Sequence, residues 1–256
     1  MKEIYAVSDL HGHYDILKRN LKEAGYDENN ENHLLVVCGD CFDRGFGNLE
    51  IYKYLKRLTD EGKAIVVKGN HDTMFQNYLD GTSISHFNWM YNGTDKTLDD
   101  FLGRTRAFES WCMLDKQCEM TYGAFAEWIE EARKEINEEY PELLSWLKSL
   151  PYHYETSNYI FTHGMINGTC EDWRNPPDGW ERLTWAKPED FFEPILNTEK
   201  KVVVGHINCG LLRSIIGEEE DDNSIFTRPD DKVIGLDTCT VLTKKVNVLV
   251  LEDELI

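Results

Sequence analysis

The sequence predicts an α/β protein: a parallel βαβαβ start, a helical middle and a second sheet after it. Three observations predict this. Between residues 3 and 68, short β-branched or aliphatic runs alternate with helical apolar spacing. From about Thr73 to Ser149 no strand-like run occurs. The last third returns to short apolar runs separated by polar turns.

Residues 3–8 alternate as a strand does. His13 to Ala24 places Ile16, Leu17, Leu21 and Ala24 at helical spacing, and Gly25 is positioned to end that helix. The second strand is 33–38. Asn48 to Glu61 carries Leu49, Tyr52, Leu55 and Leu58 on one face, with Gly62 closing it. The third strand is 63–68. In the middle, Thr97 to Trp111 and Tyr122 to Leu147 read as helices rich in aromatics and charge. We read residues 73–149 as a helical insertion over or beside the site, within a single domain spanning 1–256. Strands follow at 158–162 and 201–205, with a turn signal between them at Asn175-Pro176-Pro177-Asp178-Gly179. The runs 210–216, 224–227, 233–237 and 245–251 suggest a second, largely antiparallel sheet. The five acids Glu218 to Asp222 read as a solvated hairpin tip.

The chain has 256 residues, 41% of them hydrophobic, and a net charge of −20. An acidic surface repels nucleic acid and anionic lipid, so neither is expected as a partner. An anionic substrate must be drawn in by bound cations or a few placed basic groups. Nothing resembles a signal peptide, and no apolar run approaches the ~20 residues that span a bilayer. Seven cysteines, an odd count at irregular spacing, read as reduced thiols of a cytoplasmic protein.

Five apolar runs end in metal-ligating residue types. The strand 3–8 leads to Asp9 and His11, and 33–38 leads through Gly39 to Asp40 and Asp43. The strand 63–68 leads to Asn70 and His71, 158–162 to His163, and 201–205 to His206. In open α/β sheets, sites gather beyond the carboxyl ends of strands. The layout is that of a metal-assisted hydrolase. Asp9 and His11, two apart in extended chain, face the same way and can share one divalent ion. Asp40 has two oxygens and can bridge to a second ion, held by Asn70, His163 and His206. Mixed oxygen and imidazole ligation without thiolate suits Mn first, with Fe or Zn as alternatives. Two such ions can activate a shared water and clamp an in-line displacement. With Asp9, Asp40, a bridging hydroxide and Arg44 counted, about two positive charges remain, which matches a phosphate monoester dianion. Arg44 offers two parallel N–H donors to phosphoryl oxygens. His71 is placed to protonate a leaving oxygen, with Asp43 orienting it. The candidate catalytic set is therefore His71, Asp43 and Arg44, with Asn70 beside Arg44 as a further phosphate contact.

Four histidines, His13, His33, His86 and His153, match no such position and read as ordinary surface or partly packed residues. Cys38-x-x-Cys41 invites a redox reading, but Asp40 sits between the two thiols as a ligand. Phe87, Trp89, Tyr91, Trp111, Tyr122 and Trp128 read first as the insertion's own core and second as a platform for a nucleobase.

Asp9-Leu10-His11-Gly12, Gly39-Asp40-Cys41-Phe42-Asp43-Arg44-Gly45, Gly69-Asn70-His71-Asp72, Thr162-His163-Gly164 and Gly205-His206 resemble the successive motifs of calcineurin-like metallophosphoesterases. The Asp-Arg-Gly ending is similar to the serine/threonine phosphoprotein phosphatase branch. That branch includes small bacterial and phage phosphatases and the symmetrical diadenosine tetraphosphate hydrolases. The resemblance runs from Asp9 to about Asp237. It implies a four-layer α/β/β/α sandwich of two mixed sheets. It implies Asp9, His11 and Asp40 on one metal, and Asp40, Asn70, His163 and His206 on the other. It implies hydroxide attack without a covalent enzyme intermediate, His71 as proton donor paired with Asp43, and Arg44 on the phosphate. The sequence departs from the family at Asp72, where Glu is usual, at Gly164-Met165, and at Ile207-Asn208-Cys209. Where a second phosphate-binding arginine often follows a tryptophan, Thr184-Trp185-Ala186-Lys187 places a lysine. The resemblance thus implies Lys187 as a further phosphate contact, a point charge rather than a fork. The expected activity is phosphomonoester hydrolysis, with phosphoserine or phosphothreonine in proteins as leading substrate. The alternatives are symmetrical cleavage of dinucleoside polyphosphates, and a catalytically weak phosphate-binding regulatory module.

Overall fold

The computed structural model describes residues 1–82, 92–103, 122–175 and 180–256, with the backbone alone for 122–126. The elements begin with β1 (Lys2–Val7), α1 (Tyr14–Glu23), β2 (His33–Cys38), α2 (Asn48–Asp60) and β3 (Ala64–Val67). Four helices follow among the described residues: α3 (Asn70–Leu79), α4 (Thr94–Leu102), α5 (Tyr122–Glu139) and α6 (Leu143–Ser149). The remainder is β4 (His153–Glu155), β5 (Tyr159–Thr162), α7 (Glu181–Thr184), a 3-10 turn at Pro188–Phe192, β6 (Lys201–Val204), α8 (Cys209–Ile215), β7 (Phe226–Thr227), β8 (Val233–Gly235), α9 (Thr240–Thr243) and β9 (Leu249–Asp253).

Two sheets form, in the orders β3-β2-β1-β9 and β4-β5-β6-β8-β7. In the first, β1, β2 and β3 are parallel and β9 closes the edge antiparallel to β1. Strand alternation then sorts side chains into layers. Ile4, Ala6, Leu34, Val36 and Val67 face Phe161, Val203, Ile234 and Leu236 of the second sheet in one buried cluster. Tyr5, Val7, Leu35, Val37 and Val66 face the other way, onto Leu17, Leu21, Ile51, Leu55 and Leu58 of α1 and α2. Val202, Val204 and Ile160 back onto Leu183, Phe191 and Leu212. The result is the four-layer α/β/β/α sandwich of two mixed sheets.

The helix ends fall where the glycines put them. Gly25 (φ +94°) and Gly62 (φ +68°) take left-handed backbone one residue past the C-caps of α1 and α2. The described helices of the 73–149 stretch contribute to the core behind the first sheet. Phe75, Tyr78, Leu98, Phe101, Ile136, Trp146 and Leu147 join the same cluster that backs the first sheet.

Three expectations need correction. The long helix over Tyr122 to Leu147 is two helices, because Pro141 lies between α5 and α6 and cannot continue an i→i−4 ladder. The segment 210–216 is helix α8 rather than strand, capped by the Asn208 side chain accepting from the Leu211 N–H (2.8 Å). The second sheet is mixed rather than largely antiparallel. Its β5, β6 and β8 run parallel, and the run 245–251 supplies β9 of the first sheet instead. The helix expected over Thr97 to Trp111 is α4 as far as Leu102, where Gly103 (φ +59°) caps it, and 104–111 lie outside the described residues, as do His86 and the 176–179 part of the turn signal. Glu218 to Asp222 stands exposed, with Arg213 Nε 3.3 Å from Asp222.

Candidate active site

The ends of five strands, β1, β2 and β3 of the first sheet and β5 and β6 of the second, and the loops after them build one cleft. The loops after β1 and β2 stay zipped past the strands: Asp9 N–H donates to Gly39 O (3.1 Å), His11 N–H to Asp40 O (3.0 Å) and Gly12 N–H to Cys41 O (3.0 Å). In the second sheet Gly205 N–H donates to His163 O (3.0 Å). The chain turns sharply at each loop, and Asp9, His11, Asp40, Asp43, Arg44 and His206 all hold positive φ. For non-glycine residues this is strained, at about 1–2 kcal/mol each.

The neighbours leave no room for larger residues. A Cβ on Gly69 would lie 2.2 Å from Asp40 Oδ1, and one on Gly205 would lie 2.5 Å from Asp9 Oδ2. Asp72 clamps this region. Its carboxylate accepts the N–H groups of Gly69 (2.8 Å), Asp40 (3.0 Å) and Cys41 (2.9 Å), tying the β3–α3 turn to the β2 loop. Here the shorter Asp at the position where Glu is usual acts as a three-way backbone acceptor.

Each carboxylate is half-occupied by backbone. His71 N–H donates to Asp40 Oδ1 (3.0 Å) and His206 N–H to Asp9 Oδ2 (3.2 Å). The two oxygens of Asp40 face different histidines. Oδ2 is 3.7 Å from His11 Nε2 and 4.0 Å from His71 Nε2, while Oδ1 is 3.3 Å from His163 Nε2. Two donor groups result, His11–Asp40–His71 and Asp40–His163–His206, each with its ligand atoms within 4.8 Å of one another. Asp40 belongs to both, which is the geometry of a bridging carboxylate.

Backbone carbonyls orient the rings. His11 Nδ1–H donates to Phe42 O (2.9 Å) and His163 Nδ1–H to Cys38 O (2.9 Å), so each Nε2 lone pair points into the cleft. His206 hydrogen-bonds the Ala186 backbone. Around His163 Nε2 lie Asn70 Oδ1 at 2.9 Å and Asp40 Oδ1 at 3.3 Å. A lone pair facing two oxygen acceptors is repulsive unless a cation sits among them, so these residues fit a metal ion. Burial raises Asp9 and Asp40 well above the ordinary carboxylate range, with Asp237 adding to the first and Asp72 to the second. Burial likewise lowers His11 well below its ordinary value and His206 to about 3.

The proton-transfer set lies alongside. His71 Nδ1 donates to Asp43 Oδ2 (2.7 Å), and both residues are buried. Arg44 spans the two imidazoles, its Nη1 donating to His11 Nε2 (3.0 Å) and its Nη2 to His71 Nε2 (3.0 Å). Burial lifts Asp43 to about 7 against the lowering effect of the Thr97 hydroxyl and Arg44.

The cleft encloses about 120 Å³ and is lined by Asp9, His11, Asp40, Arg44, Asn70, His71, Asn92, Trp185, His206 and Asp237. The structure thus brings together all the expected ligands and the His71, Asp43 and Arg44 set, with His163 and Asp43 just behind the lining. His71 rather than Asp9 completes the first donor group, and Asp9 lines the same cleft. Lys187 is exposed and does not line the cleft, whereas Trp185, two residues earlier, does. Trp185 and Asn92 escaped as site residues because no apolar run points at them, whereas Asp237 closes the run 233–237, a signal that could have found it. Trp185 packs edge-on against His206, with ring centroids 5.9 Å apart.

The thiols of Cys38 and Cys41 are buried, and burial raises both well above their ordinary values, which makes them poor nucleophiles. Of the aromatics weighed for base stacking, Trp128 packs against the helical core. The side chains of Phe87, Trp89, Tyr91, Trp111 and Tyr122 lie outside the described residues. No described helix is long and apolar enough to cross a membrane.

Several known proteins resemble this chain. A bis(5'-nucleosyl)-tetraphosphatase (asymmetrical) of Bacillus subtilis is 31% identical over 84 residues, 30% of this chain and 34% of that protein. Serine/threonine-protein phosphatase 1 of Salmonella typhimurium is 33% identical over 95 residues, 37% of this chain and 40% of that protein. The chain thus matches well under half the length of these two curated relatives. A symmetrical bis(5'-nucleosyl)-tetraphosphatase of Vibrio parahaemolyticus matches at 28% identity over 98% of this chain and 96% of its own. A solved protein serine/threonine phosphatase from Saccharomyces cerevisiae shares the fold, with a TM-score of 0.51 at 13% identity over 98% of this chain and 80% of that one. The family model described as calcineurin-like phosphoesterase matches residues 2–234. Four layers, an Asp40 shared by two donor groups and that match over most of its length place this chain in the calcineurin-like phosphoesterase family.

Proposed function

We propose that the chain is a two-metal phosphomonoesterase acting on phosphoserine or phosphothreonine in proteins. The observation that carries this reading is the size and charge of the cleft. About 120 Å³ admits one phosphoryl group, and Arg44 is the one Arg or Lys among its described lining residues. A tetraphosphate brings several more negative charges to an already acidic surface and would call for further cations.

Divalent ions held by Asp9, His11, Asp40, Asn70, His163 and His206, Mn first among them, supply Lewis-acid stabilisation and an activated water when bound. The chain's own groups do the rest. A phosphate dianion docking on Arg44 draws both Nη donors from the imidazoles onto phosphoryl oxygens. Burial and Arg44 keep His71 neutral while Nε2 accepts from Arg44. Once the phosphate takes that donor, Nε2 picks up a proton from solvent and passes it to the leaving oxygen as the P–O bond breaks. Asp43 keeps the ring oriented through Nδ1–H. Asn70 adds an amide at the phosphate, and Lys187, exposed outside the cleft lining, would reach the substrate only by extending toward it. If Lys187→Ala leaves kcat/KM on a small aryl phosphate unchanged, its part in this reading is withdrawn. Buried free cysteines support a reducing, cytoplasmic setting.

A second reading is symmetrical hydrolysis of dinucleoside tetraphosphates. It is favoured by the full-length similarity to the Vibrio protein and by Trp185, half exposed at the rim, where a base can stack. One assay separates the two: kcat/KM with Mn for a phosphoserine peptide against diadenosine tetraphosphate. Higher efficiency on the dinucleotide overturns the protein-phosphatase reading. Turnover no better than protein-free Mn buffer on both, and on para-nitrophenyl phosphate, overturns the enzyme.

A further inference from the structure

We propose that Thr97, on the insertion helix α4, is a positioning residue for the proton donor His71, acting through Asp43. The inference rests on the phosphomonoesterase reading and deepens it. Thr97 is fully buried and meets Asp43 twice. Its hydroxyl donates to Asp43 Oδ1 (2.7 Å), and its oxygen accepts the Asp43 N–H (2.9 Å). One side chain therefore fixes both the backbone and the carboxylate of the residue that holds His71. The other carboxylate oxygen, Oδ2, faces His71 Nδ1 at 2.7 Å and the Thr94 hydroxyl at 3.4 Å.

The need for such a brace follows from the backbone. Asp43 sits at φ +74° in the strained loop after β2, a conformation that persists only where surrounding contacts hold it. Helix α4 provides them at three levels. Its N-cap residue Gly93 accepts the Arg44 N–H (3.2 Å), and a Cβ there would lie 2.6 Å from Arg44 N. Thr97 holds Asp43. Asp100 accepts from the N–H and the Nδ2 of Asn48 (2.7 and 2.8 Å), whose Oδ1 in turn accepts the Asp43 N–H (2.9 Å). A helix more than 50 residues along the chain thus sets the angle at which the imidazole meets a leaving oxygen. A ring misplaced by a fraction of an ångström transfers its proton poorly.

The role separates from simple packing by leaving group. Serine alkoxide needs a proton as it departs, and para-nitrophenolate does not. With Mn-loaded full-length protein, Thr97→Val is expected to lower kcat/KM on a phosphoserine peptide by about 10- to 100-fold. Its effect on para-nitrophenyl phosphate should stay within about threefold, and Thr97→Ser should restore both. Equal losses on the two substrates, or a peptide rate kept within about twofold, would overturn the inference. If Thr97→Val does not unfold cooperatively, Thr97→Ala is scored by the same ratio. A second readout needs neither metal nor turnover: the imidazole Nδ1–H proton resonance of His71 by NMR. It should shift and exchange faster in Thr97→Val or Thr97→Ala and return in Thr97→Ser; an unmoved resonance rules the brace out. A wild-type protein inactive on both substrates would instead sink the phosphomonoesterase reading, with this resonance still judging Thr97.

Discussion

Asp43 Oδ2 and His71 Nδ1 are 2.7 Å apart in a buried pair whose other imidazole nitrogen faces the cleft. The pairing fixes which nitrogen carries the fixed proton, because a carboxylate only accepts. His71→Asn should therefore lower kcat on a phosphoserine peptide by about 10²- to 10⁴-fold, and Asp43→Asn by a smaller factor. Steady-state kinetics on the peptide checks both, and an Asp43→Asn enzyme as fast as wild type would contradict the pairing's role.

Asp72 accepts three buried N–H groups, from Gly69, Asp40 and Cys41. Asp72→Ala leaves all three without that acceptor. Unsatisfied buried groups cost about 1–3 kcal/mol each, so a loss of about 3 kcal/mol or more is expected in urea unfolding of the metal-free protein. Mn affinity should fall with it, since Asp40 loses its anchor. A variant within about 1 kcal/mol of wild type would show the clamp to be dispensable.

Metal loading should release protons. Burial holds Asp9 and Asp40 protonated to higher pH than free carboxyls, whereas it keeps His11 and His206 neutral. A divalent cation must displace the carboxyl protons and finds the imidazoles already free, so apparent affinity rises with pH. Calorimetric titration with Mn in two buffers of different ionisation enthalpy measures this directly. Net release, greater at lower pH, is expected; proton uptake would show the sign to be wrong.

Glu155 offers a pH test away from the cleft. Burial alone would raise its carboxyl, but Arg174 (Nε at 2.5 Å) and Lys200 (Nζ at 2.9 Å) outweigh it and hold it at about 2. A folded-state value depressed below the unfolded one contributes stability above the unfolded pKa and loses it as pH falls through about 2. Glu155→Gln should cost about 1 kcal/mol at pH 7, after allowance for solvent screening. The gap to wild type should close as the pH approaches the folded value, and a gap that widens with acid would refute the assignment.

The sequence was most informative where one strand pairs with one ligand. Val36-Val37-Cys38 could only be a buried strand, and Asp40 had to lie just beyond it. It was least informative where partners are remote. Leu211, Leu212, Ile215 and Ile216 suit either a short strand or a helix face, and the Asn208 cap decides the matter. The sheet that takes residues 249–253 depends on pairing with Lys2–Ala6 at the far end of the chain. Thr97 and Asp100 carry no local mark of their bonds to Asp43 and Asn48, because each joins loops some fifty residues apart.

Six of the nine non-glycine residues with positive φ among the described residues are Asp9, His11, Asp40, Asp43, Arg44 and His206. Selection for durability alone would replace them with glycine, each exchange relaxing the chain and erasing a functional group. A descendant released from its task should accumulate glycines at these six sites before its hydrophobic interior changes. Their retention in a lineage would then be a record of use, legible without any assay.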